Sequence, residues 1–220
     1  KFNHIELNNE VTKRGDNGFF KLEKDIEAIE EFLREVDFRT VKFSSEMKRL
    51  RYLVEENFYY NIFEKYIEDE ILECLELAAN FKFEFKSYMA ASKFYKDYAL
   101  KTNDKKQYLE NFNQHVFIVA MYLADGDVAL ARELMISMLE QRLQPATPTF
   151  LNSGRSRRGE LVSCFLLEVG DSLNSINYID STAKQLSKIG GGVAINLSKL
   201  RARGESIKGI KGVDKGVIPV

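Results

Sequence analysis

The distribution of proline and glycine divides this chain. Residues 1–144 contain no proline and only three glycines, Gly15, Gly18 and Gly126, whereas all three prolines and the other ten glycines fall between Pro145 and Val220. Proline ends helices and glycine weakens them, so the first stretch is free to form long helices. The second must contain turns and places where the backbone comes close to something else. With 220 residues, 45% of them hydrophobic, there is material for one large domain or two small ones. We therefore expect a helical part followed by the start of an α/β domain.

Apolar periodicity supports the helical part. Residues 22–36 place Ile26, Ile29, Phe32, Leu33 and Val36 on one face and charges on the other. Residues 44–57 begin with a serine cap and carry Met47, Leu50, Leu53 and Val54. Residues 66–80 and 87–101 predict two further helices. Residues 108–126 are apolar enough for a central helix with Gly126 at its C-terminal cap, and 127–142 restarts behind Asp127. Cys74 and His115 lie within apolar helical patterns and read as core residues.

After residue 145 the period changes. Residues 160–169, ELVSCFLLEV, are short, apolar on both faces and rich in strand formers, so they predict a buried strand. Residues 171–189 predict a helix capped by Asp171 or Ser172, with Leu173, Ile176, Ile179, Ala183, Leu186 and Ile189 on its inner face. A glycine turn and second strand follow at 190–197, giving a strand–helix–strand unit with parallel strands. Two strands do not make an independently stable sheet, so further strands are expected beyond Val220.

The formal net charge of −1 argues against nucleic-acid binding through a basic surface. No apolar run approaches the roughly 18 residues of a membrane span. The N-terminus has no signal-peptide pattern, and two cysteines, Cys74 and Cys164, do not make a disulfide framework; a cytoplasmic location is expected. His4 and His115 stand far apart and near no cysteine, so no metal site is expected.

Four stretches have the composition of a site. Residues 144–159 offer Thr147, Thr149, Asn152 and Ser153 for hydrogen bonds to a phosphate or sugar, or form an ordinary capped turn. Cys164 is either a small core hydrophobe or a working thiol. Strand alternation sends Ser163 to the opposite face, so only one of the two should line a given pocket. Gly190, Gly191 and Gly192 come after a helix and before a strand, the reverse of a dinucleotide fingerprint, and one helix cap does not account for all three. Residues 199–216, basic and rich in glycine, read as a mobile loop for an anionic ligand or as a solvated surface.

Taken together, ATPTFLNSG, RRGELVSCFLLEV, DSLNSI, QLSKIGGGVAINLSKLRARGESIKG and KGVIPV resemble the large subunit of class I ribonucleotide reductase. Class Ib, which lacks a complete ATP-cone, is most similar. Upstream, MAASKFYKDYALKTNDKKQYLENFNQHVFIVAMYLADGD is similar to that family's helical domain. The resemblance implies a shortened ATP-cone-like segment over 1–45, a helical domain over 46–144, and the start of a ten-stranded α/β barrel over 145–220.

It also implies roles. Cys164 would be half of a redox-active disulfide formed as a ribonucleoside diphosphate is reduced. Thr147, Ser163, Cys164 and Gly192 would bind that substrate, and Asp171 and Arg201 a deoxynucleoside triphosphate or ATP effector. The helix over 171–189 would pack against its counterpart in a homodimer. A small subunit with two manganese or iron ions would supply the radical, and a thioredoxin- or glutaredoxin-like dithiol the electrons. The second redox cysteine, the radical cysteine and the C-terminal cysteine pair find no counterpart in the 220 residues, so the chain is expected to be inactive by itself. The rival readings are a non-catalytic nucleotide-binding regulatory protein and a helical interaction module.

Overall fold

The computed structural model describes residues 22–157 and 159–217. The first 21 residues of the ATP-cone-like segment therefore lie outside the described residues. The chain forms two compact units, Lys1–Pro145 with Ser153–Arg157, and Ala146–Asn152 with Arg158–Val220. Among the described residues, no helix is long and apolar enough to cross a membrane.

The first unit is helical, as its composition requires. Its helices are α1 (Leu22–Phe38), α2 (Glu46–Glu55), α3 (Glu68–Asn80), α4 (Tyr88–Lys93), α5 (Phe112–Ala124) and α6 (Val128–Leu139). Local chemistry sets their starts. Ser45 accepts from the Lys48 amide ahead of α2, and Asp127 from that of Leu130 ahead of α6. Asn111 and Gln114 cap each other reciprocally at the start of α5.

Helix α5 is the centre of this unit: every residue from His115 to Met121 is buried, packed against α3 and α6. Each large apolar side chain so buried contributes about 1.5–3 kcal/mol. Cys74 is buried in α3, and burial pushes its thiol up to about 11. Ile26 is mostly exposed on α1 and Ala28 takes its place in the core.

Two expectations for this unit are corrected. The helix expected over 87–101 ends at Lys93 and widens into a π-helical turn, Phe94–Tyr98, closed by the Ala99 amide on the Phe94 carbonyl at 2.9 Å. Within this wider turn the adjacent Phe94 and Tyr95 are both buried. Asp125, not Gly126, takes the left-handed cap of α5 at φ 46°, and Gly126 follows at φ 103°.

The second unit holds α7 (Thr147–Asn152), β1 (Cys164–Glu168), α8 (Leu173–Lys188) and β2 (Gly192–Asn196). The strands are parallel, with Cys164 opposite Gly192 and Glu168 opposite Asn196. Part of the stretch read as a loop over 144–159 is thus the short helix α7; Pro148 falls in its first turn, where a missing amide hydrogen costs nothing.

Strand β1 was expected to be buried on both faces, and it is not. Burial alternates along it, with Cys164, Leu166 and Glu168 exposed and Phe165 and Leu167 partly covered. Helix α8 packs against both strands, and among the described residues of this unit no third strand extends the pair. The apolar face of α8 is correspondingly half-covered: Ile179 is buried, whereas Leu173 is 71% exposed.

The three glycines between α8 and β2 have separate causes. Gly190 turns the chain at φ 92°. A side chain on Gly191 would meet the Phe165 ring at 2.1 Å. Gly192 enters the ladder.

Candidate functional site

The start of the sheet gathers several of the residues singled out by sequence. The Gly192 amide donates to the Ser163 carbonyl at 2.7 Å, fixing the backbone just before Cys164. Upstream, Thr149 Oγ1 donates to the Leu161 carbonyl at 3.1 Å and Asn152 Nδ2 to the Glu160 carbonyl at 2.8 Å. Helix α7, which Thr147 opens, is thereby tied to the segment that becomes β1. Both hydrogen bonds come from a polar helix face that would otherwise compete for water.

Burial alternates as expected from the exposed Cys164 back to Ser163, which is partly covered. Its Oγ lies 3.6 Å from Cys164 Sγ. Both side chains can therefore face one ligand. Cys164 itself is exposed rather than packed, unlike Cys74.

Asp171 and Arg201 come together at the other end of the strands. Arg201 Nε donates to Asp171 Oδ2 at 2.6 Å, its backbone amide to Oδ1 at 3.3 Å, and its Nη2 to the Asp171 carbonyl at 3.4 Å. Its Nη1 reaches the Ser206 carbonyl at 3.0 Å, and Asp214 Oδ2 lies 3.8 Å from Nε. These hydrogen bonds hold the Asp171 carboxyl below the usual carboxylate range. The helix cap is Ser172, whose side chain accepts from the Ser175 amide, so Asp171 precedes the helix and its carboxylate serves Arg201 instead.

The basic stretch after β2 is folded back on itself. Lys199 pairs with Glu168 at 2.8 Å, the Gly204 amide donates to the Asp214 carbonyl at 2.9 Å, and that of Gly212 donates to the Gly204 carbonyl at 3.1 Å. Lys208 and Lys211 are exposed near its tip. Among the described residues no group of three or more His, Cys, Asp or Glu side chains could hold a metal ion.

The first unit contains a buried polar cluster that periodicity did not reveal. Glu110 is fully buried and bonded to the Tyr59 hydroxyl and the Arg155 guanidinium, to His115 Nδ1 at 2.9 Å, and to the Leu100 amide at 2.8 Å. Burial alone would raise its carboxyl, but Arg155 and His115 prevail and hold it far below the ordinary value. Burial, then the nearby Glu110 charge, pushes the Tyr59 phenol up, so it stays protonated and donates. The one visible signal was an acid and a histidine flanking the start of the most apolar helix; Arg155 looked like one of several surface bases in GRSRRG.

Three family models together cover nearly the whole chain. The ribonucleotide reductase N-terminal model matches residues 4–83, the ribonucleotide reductase all-alpha domain matches 84–158, and the ribonucleotide reductase barrel domain matches 162–220. The chain belongs to the ribonucleotide reductase family.

Among its relatives are two proteins of Bacillus subtilis. One is the NrdEB alpha subunit of ribonucleoside-diphosphate reductase, 50% identical over 220 residues, which are 99% of this chain and 20% of that protein. The other is a ribonucleoside-diphosphate reductase subunit alpha, 50% identical over 218 residues, 98% of this chain and 31% of that one. A subunit alpha of Mycoplasma pneumoniae is 41% identical over 219 residues, 99% of this chain and 30% of that protein. The chain thus spans a fifth to a third of the length of these relatives.

Proposed function

We propose that this chain is the N-terminal part of a class Ib ribonucleoside-diphosphate reductase large subunit. The whole subunit reduces ribonucleoside diphosphates to deoxyribonucleoside diphosphates by radical chemistry. The observation that carries the reading is the placement of an exposed Cys164 at the first position of β1, opposite Gly192 and beside Ser163, in a chain that matches the barrel domain from residue 162.

In this reading Cys164 supplies one of two thiols that are oxidised to a disulfide as the ribose hydroxyl leaves as water. The Ser163 hydroxyl, the free edge at Gly192 and Thr147 at the start of α7 bind the diphosphate. Asp171 and Arg201 hold a deoxynucleoside triphosphate or ATP, the carboxylate on a sugar hydroxyl and the guanidinium on phosphate. The radical comes from a dimetal small subunit, and electrons come from a thioredoxin- or glutaredoxin-like dithiol. The second redox cysteine belongs to the remainder of the subunit, so these residues alone do not turn over.

The test is Cys164→Ser in the full-length subunit. Dithiol-dependent turnover should stop while effector binding persists; undiminished multiple turnover would remove Cys164 from the redox pair. Effector binding without any reductase activity in the unmutated full-length subunit would favour the regulatory reading.

A further inference from the structure

The segment Ser153–Arg157 packs with the helical unit, while Ala146–Asn152 before it and the run from Arg158 after it pack with the second. Its backbone pairs with Phe58–Tyr60 in an antiparallel bridge: the Tyr60 amide donates to the Gly154 carbonyl at 2.9 Å, and the Ser156 amide to the Phe58 carbonyl at 3.0 Å. Gly154 sits at φ 73°, and a side chain on it would meet Ile118 Cγ1 at 2.5 Å, so the segment lies directly on α5. At its centre the buried Arg155 gathers three contacts on one nitrogen. Nη2 donates to the Glu110 carboxylate and to the Tyr98 carbonyl at 3.0 Å, and lies 3.0 Å from His115 Nδ1.

The two ends of this segment are joined again within the second unit. Asn152 Nδ2 donates to the Glu160 carbonyl at 2.8 Å, and Thr149 Oγ1 to that of Leu161 at 3.1 Å. The loop from Asn152 to Glu160 is thus closed at its neck by hydrogen bonds and pinned at its tip by a buried ion pair. The Asn152 bond is exposed, where water competes for both groups, so it holds weakly. Glu110 at the tip has no such competitor, and losing the guanidinium would strand its charge in the core.

We infer that Arg155 is a positioning residue for the diphosphate contacts. It touches no ligand itself. By pinning the tip of the loop to Glu110 it restricts both arms that leave the neck: α7, which carries Thr147, and the residues from Leu161 that lead into Ser163 and Cys164. The inference rests on the reductase reading for the identity of the ligand; the pinning itself does not.

The experiment uses the full-length subunit as parent, Arg155→Met, Arg155→Lys and Gly154→Ala. Methionine keeps the apolar stem and leaves Glu110 without its cation, whereas lysine brings one ammonium to the place where one nitrogen makes all three contacts. Hydrogen-exchange mass spectrometry reads the pinning with no ligand present. In Arg155→Met the amides of 149–152 and 161–165 should exchange about tenfold faster, while α8 keeps the parent rate and Arg155→Lys recovers most of the protection. Gly154→Ala, which forces the segment off Ile118 with every charge left in place, should give the same pattern, and it decides the matter where Arg155→Met loosens α6 as well. Calorimetry reads the consequence. Arg155→Met and Gly154→Ala should bind a nucleoside diphosphate about fivefold to tenfold more weakly, because its contacts are misplaced. Affinity for a deoxynucleoside triphosphate, held at the other end of the strands, should stay within about twofold of the parent. Parent-like exchange at 149–152 and 161–165 in both variants would overturn the inference. So would an unchanged diphosphate affinity, or an equal loss of both affinities, which marks general destabilisation. A parent subunit that binds no diphosphate would remove the reductase reading, while the exchange pattern still decides whether Arg155 pins the loop.

Discussion

Arg201 closes on Asp171 across thirty residues of sequence, with Nε on Oδ2 at 2.6 Å and Nη2 on the aspartate's own carbonyl. Each of the two residues proposed to hold an effector is thus the other's partner in this structure. A triphosphate would have to win the guanidinium from the carboxylate. Arg201→Ala in the full-length subunit should weaken effector binding about tenfold or more. Arg201→Lys should rescue little, because an ammonium cannot span Asp171 and the Ser206 carbonyl as the planar fork does. Calorimetry with a deoxynucleoside triphosphate measures both, and unchanged affinity in Arg201→Ala would exclude the role.

Glu110 makes a second prediction, on stability. Removing one member of a buried ion pair typically costs about 3–5 kcal/mol, so Glu110→Gln should lower the urea midpoint of the chain substantially. The pH dependence has a definite sign. Glu110 titrates far lower in the folded chain than its unfolded value of about 4.3. Its contribution is therefore whole above that value, and it drains as pH falls further because the unfolded chain takes up the proton first. Urea melts at neutral pH and at about pH 3.5 should show the gap between parent and Glu110→Gln narrowing in acid.

Gly191 offers a packing test. An added methyl would sit 2.1 Å from the Phe165 ring, so Gly191→Ala should destabilise the second unit by about 1–3 kcal/mol. Phe165→Leu in the same chain should recover part of that loss, although alone it destabilises. A double-mutant cycle with no coupling would mean the ring and the glycine are independent.

The two thiols should separate cleanly. Cys74 is buried with its thiol raised to about 11, and Cys164 is exposed. A disulfide reagent at about pH 8 should titrate one thiol in the native chain and both in denaturant. Rapid reaction of both under native conditions would contradict the packing of α3.

Much of this was legible because it is local. The caps at Ser45 and Asp127 and the 3.6-residue period of α1 to α3, α5 and α6 are written in neighbouring residues. So is the change from helix to strand–helix–strand after Pro145. What the residues did not disclose depends on neighbours distant in sequence. The π-helical turn at Phe94 is chosen by the aromatic packing around it, and no local pattern distinguishes it from a plain helix. Glu110 and Arg155 are 45 positions apart, and each alone looks like a surface charge. The joining of Asp171 to Arg201 needed the parallel pairing of β1 and β2 before it could be seen.

The chain leaves the helical unit after Pro145, returns to it for Ser153–Arg157, and departs again. Five residues therefore belong physically to a body that sequence order places behind them, and one of the five is Arg155. The all-alpha domain match, running to 158, takes in the same residues. An excision at Pro145, where composition alone would draw the border, would leave the Glu110 carboxylate sealed in the helical core without its guanidinium. The compact helical body ends at Arg157, not where the prolines begin.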